Sequence, residues 1–511
     1  LKNSNEVLTM ITKVLVANRG EIACRILRAC REAGIQTVAV CAPNDQGTLF
    51  TEMADELVVL DGDTIATTYL DQEQIIQAAL STGSDAIHPG FGFLSERAPF
   101  ARSVKQAGII WIGPSPEAIE QMGDKMTARQ TMRNAGVPVI PGEEVESEDE
   151  HEALAALVEA SERVGYPLLL KASSGGGGKG MRAVYDPSDF LQSAEGARRE
   201  AVAAFGDGRI YIERLLNGSK HIEIQILADR HGRTVHLGER ECSVQRRHQK
   251  VFEEAPGPTM TPELREAMGQ AAIQAAQAVS YEGAGTVEFL LAPSGEFFFL
   301  EMNTRIQVEH PVTELVTGTD IVREQLRIAS GQPMSCGDLN IRGHAIEVRL
   351  YAEDAANNFL PSIGPLAVFR PPEGPGVRLD TGVREGDEVT PNYDPMLAKL
   401  IVWAPSREEA LQRMRRALDD FVILGTTTNV RFLRELCDAQ PIVDGTTTTT
   451  TIDEHWPNGW TPTPAPLLED ASLLAAAAGE TMGMHRTTTA SLDGESQGLP
   501  SPFSTLNRRY P

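Results

Sequence analysis

Residues 166–182, Tyr-Pro-Leu-Leu-Leu-Lys-Ala-Ser-Ser-Gly-Gly-Gly-Gly-Lys-Gly-Met-Arg, decide how the middle of this chain folds. Pro167–Leu170 is an apolar strand that ends in Lys171. Four glycines follow, and Met181-Arg182-Ala183-Val184-Tyr185 reads as a second strand. Gly175, Gly177 and Gly180 satisfy G-x-G-x-x-G, but a dinucleotide fold needs a helix after the glycines. A Walker-type loop needs Ser or Thr where Gly180 follows Lys179. A glycine loop between two strands is instead a flap. With no Cβ in the way, its backbone N–H groups can lie on phosphates. Lys171, at the end of an apolar strand, is costly to bury without an anion.

On the N-terminal side, Ile11–Ala17 reads as a buried strand and Asn18–Glu21 as a turn. Ile22, Ile26, Leu27 and Cys30 then recur at helical spacing up to Gly34, and Thr37–Val40 is a second strand. This β-α-β pattern repeats through Leu57–Leu60, Ala86–His88 and Ile109–Gly113, which predicts a parallel-sheet α/β domain over 10–123. A central region over 124–335 starts with a helix opened by the acidic stretch Glu143–Glu150. It continues with strands at Arg209–Glu213, His221–Leu227 and Val235–Glu239, a helix from Pro262 to about Val279, and the hairpin Gly285–Asn303. A mixed β/α region over 342–455 has strands at Ala345–Tyr351, Ala367–Arg370 and Gly376–Asp380, then a helix from Arg407 to about Leu418. Residues 456–511 read as a low-complexity tail, poorly ordered from 457, with a short amphipathic helix around Leu467–Ala478. The six threonines Thr446–Thr451 just before it have no assigned role. The fold class is α/β together with α+β.

The 511 residues carry 71 acidic against 46 basic side chains, a net charge of −25. That excludes a general nucleic-acid or anionic-membrane binder, and any anion site must be a local concentration of positive charge. Only nine lysines are present, and Lys125, Lys171, Lys179 and Lys250 each lie beside a motif. The acidic, lysine-poor composition fits a salt-rich cell interior or a biased genome equally. The six cysteines show no CxxC or zinc-ligand spacing and are expected to be buried thiols in a reducing compartment. No apolar run approaches about 18 residues. The polar opening Leu1–Thr9 is not a signal peptide, and Met10 is a candidate start, so a cytoplasmic location is expected.

The hairpin carries the most specific chemistry. With Ser294-Gly295 as a two-residue turn, paired positions place Glu288 opposite Glu301 and Asn303 opposite Thr286. Two carboxylates facing each other among Phe289, Leu290 and Phe297–Leu300 repel unless a cation sits between them, and oxygen ligands so placed suit Mg²⁺ or Mn²⁺. If the chain stays extended beyond, Glu301, Asn303, Arg305, Gln307 and Glu309 share one side of it. Gln245-Arg246-Arg247-His248-Gln249-Lys250 is a concentrated basic stretch suited to an anion or a ribose. Arg349, between Val348 and Leu350, needs a carboxylate or a substrate anion.

These stretches resemble the biotin carboxylase family of ATP-grasp ligases. The resemblance rests on Val16–Ala23, His88–Glu96, Met122–Lys125, Lys171–Met181, Gln245–Lys250 and above all Glu301-Met-Asn-Thr-Arg-Ile-Gln-Val-Glu-His-Pro311, and it runs from about residue 11 to about 455. It implies a central ATP-grasp domain with a glycine flap. ATP would be bound by Lys125, Lys171, Gly177, Gly178, Glu213, Arg214, Leu215, Leu216, His221, His248, Glu288 and Glu301. Two Mg²⁺ or Mn²⁺ ions would be held by Glu288, Glu301 and Asn303. Bicarbonate would be bound by Lys250, Arg305, Gln307 and Val308; Glu309 would be the base, and Arg349 would stabilise the enolate of biotin. It also implies a homodimer that works with a biotin carboxyl carrier protein and carboxyltransferase subunits. An Ala-Met-Lys-Met type motif is absent, so no biotinyl lysine is expected on this chain. The resemblance points to the biotin carboxylase subunit of an acetyl-CoA or other acyl-CoA carboxylase; the biotin carboxylase subunit of a pyruvate carboxylase, or another ATP-grasp ligase, is the alternative.

Overall fold

The computed structural model describes residues 10–145, 150–172, 181–205, 208–247, 249–337 and 339–463. The described residues up to 460 form one compact unit. The second, 461–511, is described only over 461–463, which carry no helix or strand, so the helix expected at 467–478 lies outside the described residues.

The N-terminal region is the expected parallel sheet. Strands β1 (Lys13–Val16), β2 (Gln36–Cys41), β3 (Glu56–Val59), β4 (Ala86–His88) and β5 (Ile110–Trp111) lie in the order β3-β2-β1-β4-β5, every pair parallel. Val14, Leu15, Val16, Val38, Ala39, Val40 and Ile87 are all fully buried, as a sheet covered on both faces requires. The first helix, Gly20–Glu32, buries Ile22, Ile26, Leu27 and Cys30. The Asn18 amide in the preceding turn donates to the carbonyls of Pro89 (2.7 Å) and Phe91 (2.8 Å), which ties the His88–Glu96 stretch to β1.

A four-stranded sheet follows, β6 (Gly142–Glu144), β7 (Leu168–Ala172), β8 (Met181–Val184) and β9 (Ile210–Arg214), in the order β6-β9-β7-β8. Strands β7 and β8 pair antiparallel as expected, and the glycine segment 173–180 joining them lies outside the described residues. The acidic stretch departs from expectation. Gly142–Glu144 is a strand, and the helix starts only at Glu150. Gly142 approaches β9 so closely that a Cβ there would lie 2.5 Å from the Ile212 carbonyl oxygen, so pairing overrides the local preference of the glutamates.

The largest element is an eight-stranded sheet. It contains β10 (Lys220–Ala228), β11 (Thr234–Arg246), β12 (Gln249–Ala255), β13 (Gly283–Leu291), β14 (Phe297–Asn303), β15 (His344–Tyr351) and the strands Val377–Thr381 and Met396–Ala404. The order is β14-β13-β10-β11-β12-β15, then Met396–Ala404, then Val377–Thr381. β15 pairs directly with β12, so strands on either side of the boundary drawn near 342 belong to one sheet. β11 runs well past the expected Val235–Glu239, and in the basic stretch Gln245 pairs with Lys250 and Arg246 with Gln249 at the end of the β11–β12 pair. The alanine-rich helix Pro262–Ala278, capped by Thr261 Oγ1 on Leu264 N, packs Met268, Ala272, Ala275 and Ala276 beneath Ile222, Ile224 and Ile226.

The threonine run acquires a structural role. The Thr447 hydroxyl donates to Glu241 Oε1 (2.8 Å), Thr449 N donates to Ser219 O (3.1 Å), and Thr451 starts the helix Thr451–His455. Trp456 and Trp460, in the stretch expected to start the tail, pack against Phe432. All six cysteines are buried and unpaired.

Candidate active site

The site is built on the eight-stranded sheet. Register places Glu301, Glu288, Glu223 and Arg240 side by side across β14, β13, β10 and β11. Further along, Glu253 faces Glu347 across β12 and β15, Arg349 faces Lys399, and Lys399 faces Asp380. These charged residues make a band across the sheet, buried except at Glu301, and buried charge persists only if its members are paired.

Lys250 is the junction. Its ammonium donates to Glu223 Oε2 (2.5 Å), Glu288 Oε1 (2.9 Å) and Glu309 Oε1 (2.6 Å). Glu309 Oε2 accepts from Arg349 Nη2 (3.1 Å), and Arg349 Nε donates to Glu253 Oε1 (2.6 Å). Glu223 is shared with Arg240, whose other N–H groups reach Gln225 Oε1 (2.8 Å), Thr313 Oγ1 (2.9 Å) and Thr286 Oγ1 (3.1 Å). Burial alone would raise the Glu309 pKa. Lys250, Arg349 and Arg240 outweigh it and hold the carboxyl well below its usual range, so Glu309 is ionised. Burial would lower the Lys250 pKa, but the three carboxylates hold it well above its usual value.

The facing carboxylates are where the sequence places them, by a different route. Ala292 N donates to Glu296 O, so the hairpin loop is the three residues Pro293-Ser294-Gly295. That register pairs Leu291 with Phe297 and Phe289 with Phe299, and a bulge at Leu300 then restores Glu288 opposite Glu301 and Thr286 opposite Asn303. Glu288 is buried, whereas Glu301 opens to solvent in a crowded cleft. Burial would raise Glu288, but Lys250 and His221 carry it below the usual carboxylate range. Glu301 is raised by crowding and then by Glu288. Glu288 Oε1 also accepts from Asn303 Nδ2 (2.9 Å) and Gln307 Nε2 (3.1 Å). An ion at this rung fits: Glu301 offers a solvent-facing carboxylate whose charge is disfavoured, and a divalent cation would relieve it. His221, Glu223 and Glu288 also bring ligand atoms within 4.8 Å of one another, but Lys250 already supplies positive charge there.

The chain does not stay extended beyond Asn303. It bends over 304–309 before the helix His310–Thr317. The residues converge nonetheless, because three contacts hold the bend. Glu96 accepts from Arg305 Nε (2.9 Å) and Thr304 N (3.2 Å), and the buried Lys399 donates to Val308 O (2.7 Å). Arg305 Nη2 reaches Asn303 Oδ1 (3.0 Å) and Nη1 reaches Gln307 Oε1 (3.2 Å).

The nucleotide candidates gather beside Glu301. Lys171 pairs with Glu213, whose other oxygen accepts from Arg129 Nη1 (2.9 Å). Lys125 starts the helix Lys125–Asn134 after its Asp124 cap. Burial and the neighbouring Lys171 lower its pKa against the pull of Glu301 and Glu213, so these groups share one cleft. Arg214 is exposed at the end of β9, and Leu215 and Leu216 continue half-buried. Gln245 Nε2 lies 2.9 Å from His221 Nδ1. On the other side of the ring, His221 Nε2 lies 2.8 Å from Glu288 Oε2. Gly177, Gly178 and His248 lie outside the described residues.

Glu96, Glu223, Arg240, Glu253 and Lys399 join the site without having been expected there. Glu223 lies between Ile222 and Ile224 and Lys399 between Ala398 and Leu400, the pattern that marks Arg349. Among the described residues no helix is long and apolar enough to cross a membrane.

Comparison with known proteins agrees with this architecture. Residues 10–119 match the biotin carboxylase N-terminal domain, 124–336 the ATP-binding domain of the carbamoyl-phosphate synthase L chain, and 347–454 the biotin carboxylase C-terminal domain. The chain is 50% identical to biotin carboxylase of Nostoc sp. over 444 residues (86% of this chain, 98% of that one). It is 48% identical to a pyruvate carboxylase subunit of Methanothermobacter thermautotrophicus over 448 residues (87% and 90%). The biotin carboxylase domain of Hydrogenobacter thermophilus 2-oxoglutarate carboxylase, solved as a dimer with MgADP, ADP and bicarbonate, superposes with a TM-score of 0.82 at 46% identity (87% of this chain, 98% of that one). With three adjoining domain matches and about half of the aligned residues identical to those of these relatives, the chain belongs to the biotin carboxylase family.

Proposed function

We propose that this chain carboxylates biotin on a separate carrier protein, using ATP and bicarbonate through carboxyphosphate, as the biotin carboxylase subunit of an acetyl-CoA or other acyl-CoA carboxylase. The observation that carries the reading is Lys250, one ammonium joining Glu288 on the phosphate side to Glu309 on the anion side.

On this reading Lys125 and Lys171 neutralise phosphates, and Gly177 and Gly178 lie over them. Glu213, Arg214, Leu215, Leu216, His221 and His248 line the nucleotide. Glu288, Glu301 and Asn303 hold two Mg²⁺ or Mn²⁺ ions, which supply Lewis-acid charge to the phosphoryl oxygens. Lys250, Arg305, Gln307 and Val308 position bicarbonate so that its oxygen attacks the γ-phosphorus as the bond to ADP breaks. Glu309 takes the bicarbonate proton. With both carboxylate oxygens tied to Lys250 and Arg349 it is a weak base. An anion that draws Lys250 to itself frees one oxygen, so substrate binding raises the basicity when it is needed. Carboxyphosphate then splits to CO₂ and phosphate, phosphate takes the N1 proton of biotin, Arg349 holds the enolate oxygen, and N1 adds to CO₂.

ADP release that requires both bicarbonate and biotin, and that falls by about 10²-fold or more in Glu301→Gln, supports this assignment. Release indifferent to biotin overturns it. A homodimer, a biotin carboxyl carrier protein, carboxyltransferase subunits and a cytoplasmic location complete the proposal. Pyruvate is the second candidate for the final acceptor, favoured by the 48% identity with the Methanothermobacter protein.

A further inference from the structure

Behind the Glu309–Arg349 pair lies a carboxyl group the mechanism above does not use. Glu347 is completely buried in β15, and neither of its oxygens has a hydrogen-bond partner. Its neighbour across the ladder is Glu253, also completely buried. Glu253 Oε1 accepts from Arg349 Nε, and its Oε2 has no partner either. Cross-strand partners have Cβ atoms about 5 Å apart, so the two carboxyl groups can meet. Two ionised carboxylates there, beside a third in Glu309, would leave one buried charge uncompensated, because Arg349 is already divided between Glu253 and Glu309.

We infer that Glu347 is kept as a neutral acid whose hydroxyl donates to Glu253, so that the pair shares one proton and grips Arg349 with a single negative charge. That hydrogen bond gives a partner to the orphaned Glu253 oxygen and to one of the Glu347 oxygens. Its charged neighbours act in both directions: Glu253 and Glu309 favour the neutral acid, Lys399 and Arg349 oppose it, and complete burial decides between them. From β12 comes Glu253, from β15 itself Arg349, from the strand Met396–Ala404 Lys399, and from the bend before the helix His310–Thr317 Glu309, which Lys250 in turn bonds. Lys399, the cation with the strongest pull on Glu347, directs its ammonium elsewhere, to Val308 O (2.7 Å), Glu21 Oε2 (3.3 Å) and Asp380 Oδ2 (3.9 Å). The opposite face of β15 is apolar: Ile346, Val348 and Leu350 pack into the core with Ala410 and Met414. Burial raises the Glu347 pKa well above the usual range, with Glu253 adding to it against Lys399, and Glu253 itself is raised to about 7. Losing the shared proton would place a second negative charge beside Arg349, pulling the guanidinium off Glu309 and off the substrate oxygen. Glu347 is therefore a positioning residue, and its protonation sets the alkaline limit of the site. This rests on the reading of Arg349 as the biotin-side residue.

The test uses the full chain with ATP, bicarbonate and free biotin. Infrared spectra at neutral pH should show the carbonyl band of a buried carboxylic acid that disappears in Glu347→Gln. That variant, which replaces the acid by a neutral donor, should keep most of its turnover and lose the alkaline fall in kcat. Glu347→Leu, with no donor, should lower kcat by about tenfold or more with KM for ATP unchanged. Absence of the band, or an alkaline limb unchanged in Glu347→Gln, overturns the inference. Arg349→Lys separates the two claims. If it leaves biotin-dependent turnover intact, the role given to Arg349 fails, while the infrared band still reports on the shared proton.

Discussion

The two large sheets of this protein bury opposite chemistries. Around the parallel sheet, Leu15, Val38, Val40 and Ile87 pack with Phe100 and Trp111, and strand alternation has no visible consequence because both faces are covered. In the eight-stranded sheet alternation is everything. Ile222, Ile224 and Ile226 enter the core beneath the helix Pro262–Ala278, while Glu223 and Gln225, between them on the same strand, are just as fully buried against Arg240. The first sheet gains stability by removing apolar surface from water. The second gives some of it up: each buried ion costs several kcal/mol, recovered only through close partners. A charge band of that kind is weak support for a fold and strong support for a ligand, because the same groups can exchange internal partners for substrate.

Replacing the junction of the band should have the largest effect. Lys250→Met leaves three carboxylates around an apolar side chain, so turnover should fall on the order of 10³-fold and stability by about 3–5 kcal/mol, read from urea unfolding. A loss of turnover with stability unchanged would mean that the band is not an electrostatic unit. Leu15→Ala, in the centre of the parallel sheet, should cost about 2–5 kcal/mol through lost burial and a cavity, with kcat and KM unaltered in the folded fraction. Any shift in KM would show that the two sheets are not separable in this way. The smallest effect is in pH dependence. Glu288 and Glu309 have depressed pKa values when folded, so their stabilisation is complete above the unfolded carboxylate value of about 4.3 and is lost as pH falls below it. Each contributes at most about 1.4 kcal/mol per pH unit there. Glu288→Gln should flatten that acid limb, whereas Leu15→Ala should lower the whole curve in parallel.

Legibility follows the same divide. The parallel sheet is readable almost to the residue, because apolar runs alternating with helical periodicity leave few other solutions. The threonine run is opaque, since its partners Glu241 and Ser219 are more than 200 positions away in sequence. The hairpin is the instructive case. A two-residue turn predicts the facing of Glu288 and Glu301. The actual loop is one residue longer and the strand carries one bulge, two departures that cancel. The row from Glu301 to Glu309 reads as a straight strand, and it converges instead through a bend that Glu96 and Lys399 hold.

What the sequence determined by itself is therefore the strands of the parallel sheet, the central hairpin, some of the sites of unusual charge and the family resemblance, because these depend on periodicity and on the cost of burying single residues. What only the tertiary structure decided is which charge meets which. Lys250 meets Glu223, Glu288 and Glu309, and Glu347 faces Glu253 across the ladder, through pairings that span up to 94 positions. Such partners are set by sheet order and register, and those are properties of the whole packed chain rather than of any stretch within it.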